Sequence, residues 1–240
     1  MCFTQPELSW DDLPELFPEF SQPRRWLPLL QAHASLIAEA DPRVRVTAVP
    51  ANSLIRRQYA ESLEHWRLAI EPAIPSVAVD IGPGGGFPGL LAAIVSPQTH
   101  LHLIEPLQKR ARLLDLVSFQ LGLANVTVHA IRAEEAGRGA LRDFAELVTA
   151  RAVAELRELL EYTAPLAVRG GRLALAKGST FPAEMQAATK ALSELGCRLV
   201  EARPMRPEVS SNIVVALFEK EEATMSRYPR RSGIPAKRPL

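Results

Sequence analysis

Residues 77–89, Val77-Ala78-Val79-Asp80-Ile81-Gly82-Pro83-Gly84-Gly85-Gly86-Phe87-Pro88-Gly89, pass from a short apolar run straight into five glycines, in a chain that has only 13. The apolar run reads as a buried strand and residues 86–95 as a helix, so the glycines occupy a strand-to-helix turn. Glycine lacks a Cβ and lets backbone approach a ligand closely, while a helix N-terminus offers free N–H groups to an anionic part of that ligand. Gly82, Gly84 and Gly86 alternate at the carboxyl end of this first strand, which favours a binding loop over a turn that holds nothing.

The same texture repeats downstream. Strands are expected at 77–81, 100–104, 126–130, 145–149, 172–176, 198–202 and 213–218, with helices at 86–95, 107–121, 155–168 and 182–195. Strand-helix alternation implies an α/β fold of Rossmann-like type, a seven-stranded mostly parallel sheet with helices on both faces. No helix separates the last two strands, so they pair antiparallel at one edge and the last strand runs against the rest. Upstream, five prolines within 1–28 exclude a long helix there and leave an irregular arm, with Trp10, Phe17, Phe20 and Trp26 free to dock. Helical spacing then follows at Trp26, Leu29, Leu30, His33, Ile37 and again from Ile55 to Ile70. Residues 226–240, SRYPRRSGIPAKRPL, carry no apolar periodicity and read as an extended or flexible tail. The chain thus divides into an arm and N-terminal helical extension (1–75), an α/β domain (76–222) and a basic tail (223–240).

A chain of 240 residues with 47% apolar and 23% charged residues can bury a full core. Cys2 and Cys197 form no disulfide framework, the first twenty residues resemble no secretory signal, and no apolar stretch is long enough to span a bilayer; a cytoplasmic, soluble, monomeric protein is expected. The formal charge of +1 argues at first against a nucleic-acid partner. Yet residues 1–23 hold five acids and no base, while residues 226–240 hold five bases and no acid, so the total is a cancellation.

The glycine spacing is G-x-G-x-G rather than the dinucleotide G-x-G-x-x-G, with Phe87 where a third glycine would stand and Pro83 removing a backbone donor. Asp80, just before the loop, would repel a pyrophosphate and attract an amino group, which favours S-adenosylmethionine over a dinucleotide. Glu105, ending the second strand, can accept the two hydroxyls of a ribose in either kind of ligand.

These residues resemble a known family. VAVDIGPGGGFPGL, LIEPLQKRARLLDLVSFQLGLANVTV, IRAEE, VTARAVAELRELLEYTAPLAVRGGRLALAKG and the ending YPRRSGIPAKRPL are similar to the bacterial small-subunit ribosomal RNA guanine-N7 methyltransferases, first called glucose-inhibited division protein B. The resemblance runs from Arg45 to the C-terminus and implies a class I S-adenosylmethionine-dependent methyltransferase fold, S-adenosylmethionine as cofactor, and small-subunit ribosomal RNA or the small ribosomal subunit as partner. It places Gly82 and Phe87 at the cofactor, Glu105 at its ribose, Ala133 and Glu134 at its adenine, and Arg151 at the cofactor and substrate site. The chain departs from the family pattern at Tyr59-Ala60-Glu61-Ser62-Leu63, where a His-x-x-Asp-Ser-Leu segment is usual, and at Ser211-Asn212, where an Arg/Glu-His pair is usual.

Guanine N7 has a lone pair and no proton, so its methylation needs positioning rather than a general base. The chain also lacks an Asn/Asp-Pro-Pro-Tyr loop for exocyclic amines and a Pro-Cys nucleophile. Arg151 and Lys177 end the fourth and fifth strands, at the edge where open parallel sheets bind ligands, and are the two candidate catalytic residues. A cation just before a helix N-terminus is disfavoured by the helix dipole, so Arg151 answers an anion, a methionine carboxylate or an RNA phosphate, unless it is a surface arginine paired with Glu155. Lys177 stands equally well as a solvated turn residue. His100 and His102 share a strand face without a third ligand, the other histidines have ordinary partners, and no metal is expected. Candidate RNA contacts are Arg43, Arg45, Arg56 and Arg57 on the extension and, more favoured, Arg227, Arg230, Arg231, Lys237 and Arg238 on the tail, whose removal is expected to weaken RNA binding and spare cofactor affinity. Two rivals remain open: an NAD-dependent oxidoreductase, which Asp80 and Phe87 disfavour, and a non-catalytic ribosome-assembly protein that keeps the fold for recognition.

Overall fold

The computed structural model describes residues 7–40, 44 and 49–240. Arg43 and Arg45 lie outside the described residues. Seven strands, β1 (Val77–Ile81), β2 (His100–Ile104), β3 (Val126–His129), β4 (Ala145–Arg151), β5 (Ala167–Lys177), β6 (Cys197–Pro204) and β7 (Val214–Lys220), form one sheet in the order β3-β2-β1-β4-β5-β7-β6. The first five run parallel, and β7 lies antiparallel between β5 and β6. The chain steps outward from β1 to β3 and then returns to β4, so the crevice at the carboxyl ends of β1 and β4 is the switch point at which such sheets bind ligands.

Helices cover both faces. One face carries α1 (Asp12–Leu16), α2 (Pro23–Glu39), α3 (Glu61–Ala69), α4 (Gly89–Val95) and α5 (Gln108–Gln120), whose Leu13, Trp26, Leu30, Trp66, Leu90 and Leu114 share a core with Ala78 and Leu101 of the sheet. The other carries α6 (Ala133–Ala136), α7 (Leu156–Thr163), α8 (Phe181–Ala187) and α9 (Thr189–Leu195), packed on Val79, Val148, Leu173 and Phe218. A last turn, α10 (Ile234–Lys237), belongs to the tail. With both faces covered, β1 is buried at every residue except Val77, which explains an apolar reading broken only by Asp80.

Several expected boundaries move. The irregular arm contains α1, and α2 starts at Pro23 rather than Trp26 and continues through Pro28. Pro23 fits the first helical position, and Pro28 gives up one ladder bond while Trp26, Leu30, His33 and Ile37 bury one face. Residues Ile55–Ala60 form a π-helical turn that runs directly into α3. The helix expected over 155–168 ends at Thr163 because Pro165 cannot donate onward, and β5 begins at Ala167. The helix expected over 182–195 is broken at Ala188, beside which the Thr189 hydroxyl donates to the Gln186 carbonyl at 3.4 Å. Helix α4 begins at Gly89 rather than Gly86, since Gly86 at φ 102° lies outside helical space. The tail is neither extended nor loose: it turns at 226–233, closes with α10 and buries Tyr228, Pro229 and Pro235.

Candidate active site

The glycine turn leaves β1 with left-handed backbone at Gly82 (φ 67°), Gly84 (φ 57°) and Gly86 (φ 102°). At Gly82 a Cβ would come within 3.0 Å of Val153 and fill the mouth of the cleft, so only glycine keeps that space open. Asp80 faces away from this cleft. Its carboxylate is fully buried beneath the turn, accepting from the Gly89 N–H at 2.9 Å and the Thr149 hydroxyl at 2.7 Å. These two contacts tie the start of α4 to β4. Burial pushes the Asp80 carboxyl up to about 7, against the pull of those two hydrogen bonds and of Arg151.

Phe87 is also turned inward. Its ring stands edge-to-face with His33 at 5.3 Å and with Tyr59 at 5.4 Å between centroids. His33 Nε2 lies 2.9 Å from the Gly85 carbonyl, an acceptor only, so Nε2 carries the proton and Nδ1 accepts from the Tyr59 hydroxyl at 2.8 Å. Burial holds His33 down to about 4, and therefore neutral. The loop is thus gripped from behind by α2 and the π-helical turn. His33 and Tyr59 lie on helices with ordinary apolar spacing, and only the tertiary contact reveals what they hold.

Beyond Gly82 a cleft of about 280 Å³ opens between Glu105, Ala133, Glu134, Val153 and Tyr162. Glu105 ends β2 and is fixed by two backbone donors, Leu107 N–H at 2.9 Å and Gly84 N–H at 3.3 Å, which leaves lone pairs for a ligand. Ala152, also in the lining, has φ 55°, a left-handed conformation costing on the order of ~1 kcal/mol in a residue with a side chain. The next turn is held by Lys177, whose Nζ donates to the Ala154 carbonyl at 2.9 Å and lies 2.5 Å from Glu184 Oε2. Lys177 is therefore a buried, paired anchor rather than a solvated turn residue.

Arg151 is paired too, but not with Glu155, which meets Arg157 instead. Its guanidinium crosses to the N-terminal helices, 2.8 Å from Glu61 Oε2 and 2.7 Å from Ser62 Oγ, and donates to the carbonyls of Arg57 and Gln58. Burial lowers the Arg151 pKa and Glu61 raises it, while burial raises that of Glu61 and Arg151 lowers it. An arginine this basic stays charged through such a shift.

The tail cations divide. Arg230 forks onto Glu161, whose carboxylate is fully buried, at 2.6 and 2.9 Å. Arg227 pairs with Glu194 at 3.1 Å and lies over the Tyr228 ring. Arg231, Lys237 and Arg238 are exposed, as is Arg57 on the extension, whereas Arg56 is half-buried and donates to the Glu208 carbonyl. Gly233, which nothing in the sequence singled out, donates its N–H to Glu134 Oε1 at 2.8 Å.

Among the described residues no group of three or more His, Cys, Asp or Glu is placed to hold a metal, and no helix is long and apolar enough to cross a membrane. His102 and His129 bond each other at 2.9 Å, and His100 bonds Thr127. Cys197 is buried, with its thiol pushed up to about 12 by burial, far from a nucleophilic thiolate.

Comparison with known proteins gives a consistent picture. A family model described as GidB, rRNA small subunit methyltransferase G, matches residues 27–208. The chain is 39% identical over 217 residues to ribosomal RNA small subunit methyltransferase G of Symbiobacterium thermophilum, covering 87% of each chain. It is 42% identical over 165 residues to the protein of the same name from Carboxydothermus hydrogenoformans, covering 68% of this chain and 70% of that one. Among solved structures, a SAM dependent methyltransferase from Aquifex aeolicus superimposes with a TM-score of 0.53 at 16% identity, covering 76% of this chain and 100% of that one. M. jannaschii TYW2 in complex with AdoMet gives 0.52 at 20% identity over 65% of this chain and 74% of that one. At these identities the two structures speak for the fold alone.

Proposed function

The chain belongs to the family of rRNA small subunit methyltransferase G, and on that premise we propose that it methylates N7 of a guanine in the RNA of the small ribosomal subunit, with S-adenosylmethionine as methyl donor. The observation that carries this reading is the meeting, in one cleft, of the Gly82 turn, the Glu105 carboxylate and the Ala133-Glu134 peptide. They suit the donor: Gly82 opens a space that a Cβ would close, Glu105 keeps acceptor capacity that two ribose hydroxyls would use, and Ala133 and Glu134 would border the adenine. When bound, S-adenosylmethionine would supply a methyl group on a sulfonium, whose carbon–sulfur bond breaks as the N7 lone pair bonds to the methyl carbon, leaving S-adenosylhomocysteine as a neutral thioether and a cationic 7-methylguanine.

No proton leaves N7, so the protein supplies no general base. Its work is alignment. Arg151 is a positioning residue in this reading: it fastens residues 57–62 to the carboxyl end of β4, next to Ala152 of the cleft lining. Lys177 does the same for the turn after β4. Arg57, Arg231, Lys237 and Arg238 are the exposed cations proposed to meet RNA phosphates, and Arg230 and Arg227 keep the tail in place.

Calorimetric titration with S-adenosylmethionine and with NADH separates this reading from an oxidoreductase, and transfer of label from methyl-labelled donor into small-subunit RNA separates it from a non-catalytic binder. Binding of the methyl donor alone, followed by labelled RNA, is the expected result. Binding of NADH, or donor binding without labelled RNA, would overturn it.

A further inference from the structure

The cleft is lined by Ala133 and Glu134 of α6 and by Tyr162 of α7, and the tail touches both helices. Helix α6 is a single turn of four residues, too short to hold its own orientation. The tail holds it through one contact to the helix itself, Gly233 N–H to Glu134 Oε1 at 2.8 Å, and through two to the segment that follows it, where Arg138 Nε donates to the Pro229 carbonyl and Arg142 Nη1 to the Tyr228 carbonyl, each at 2.7 Å. Gly233 adopts φ 79°, a turn that strains any residue with a Cβ. On the other side, Arg230 grips the buried Glu161 of α7 through its guanidinium and, at 2.7 Å, its backbone N–H. The neighbour of Glu161, Tyr162, lines the cleft together with Ala133 and Glu134 of α6.

We propose that the C-terminal tail, residues 228–240, is a working part of the cofactor cleft: a strap from α7 to α6 that holds Ala133, Glu134 and Tyr162 at their spacing and thereby sets cofactor affinity. The proposal rests on the methyl-donor reading of the cleft and reverses the expectation that the tail serves RNA alone. Without the strap, α6 must be ordered at the moment of binding, and that ordering is subtracted from affinity. The charge-assisted bond from Gly233 to Glu134 belongs to the stronger class of hydrogen bonds, so its loss is felt as about a tenfold effect.

The test compares the full chain with one ending at Ser232, which keeps Tyr228, Pro229 and Arg230 and loses Gly233 and α10. Calorimetric titration with S-adenosylhomocysteine and with adenosine is expected to show both dissociation constants raised about tenfold by the truncation, and by the same factor, since both ligands use the adenine end. Thermal unfolding of the ligand-free chains shows whether the truncated one is folded. If it is not, Arg138→Met and Gly233→Ala, each removing or straining one contact, are titrated instead, and weakened binding of both ligands is again expected. Unchanged affinity for both ligands overturns the proposal, as does a loss confined to RNA binding measured in parallel. A full chain that binds neither ligand overturns the reading of the cleft itself and this proposal with it.

Discussion

At Asp80 the fold places a carboxylate where no water reaches and holds it with one backbone and one hydroxyl donor. Because its folded pKa lies near 7, above the ordinary 3.8, its stabilising contribution is full below about 3.8 and is lost as pH rises towards 7. Asp80→Asn can keep both contacts, since the amide oxygen accepts from Gly89 and the Thr149 hydroxyl reverses to accept. Denaturant unfolding should therefore show wild type losing up to about 3 kcal/mol relative to this variant between pH 4 and pH 7, and a difference that does not change with pH would contradict it. His33 runs the other way: with a folded pKa near 4 against 6.5, its contribution is present above 6.5 and lost as pH falls through 4. His33→Phe leaves the Gly85 carbonyl and the Tyr59 hydroxyl unpaired, a cost of about 2–4 kcal/mol, and by loosening the glycine turn it raises the dissociation constant for S-adenosylhomocysteine. Equal affinity would detach His33 from the site. At this scale the glycine turn was legible in the sequence and the two partners of Asp80 were not, because alternation along β1 tells that a side chain is buried but not which neighbour closes over it.

Among the elements, the parallel core was legible and the joints were not. Strands β1 and β2 match their expected bounds because β1 is buried at all but its first residue and β2 alternates buried Leu101 and Leu103 with half-buried His100 and His102. The ends of α2, α7 and α8 depend on where prolines and threonines compete with the ladder, which periodicity alone does not weigh. Harder still to see was the attachment of the N-terminal helices, since Arg151 and Glu61 lie ninety residues apart and neither carries a local sign of the other. That pair is largely buried, so Arg151→Ala strands the Glu61 carboxylate and should cost about 3 kcal/mol in unfolding measurements as well as abolishing methyl transfer. Adding Glu61→Gln should recover part of the stability, because the stranded charge is then gone. Transfer at the wild-type rate by Arg151→Ala would remove Arg151 from the site.

Over the whole molecule, the net charge of +1 conceals a pairing of the two ends with the body. Glu19 of the acidic arm meets Arg206 at 3.4 Å, and two of the five tail bases are engaged by Glu161 and Glu194. The basic run therefore overstates the charge offered to RNA: Arg231, Lys237 and Arg238 are the exposed remainder. Replacing these three with alanine should reduce the slope of log affinity for RNA against log salt by about 2, with fold stability unchanged; an unchanged slope would place the RNA elsewhere. The central claim is positional, that one guanine ring nitrogen receives the methyl group. The decisive measurement is to incubate the protein with S-adenosylmethionine and small-subunit RNA, both naked and in small-subunit particles, and then to map chemical cleavage at 7-methylguanine. Enzyme-dependent cleavage at a single guanine is the predicted result; methylated RNA with no cleavage, or methyl groups on another atom, would contradict it.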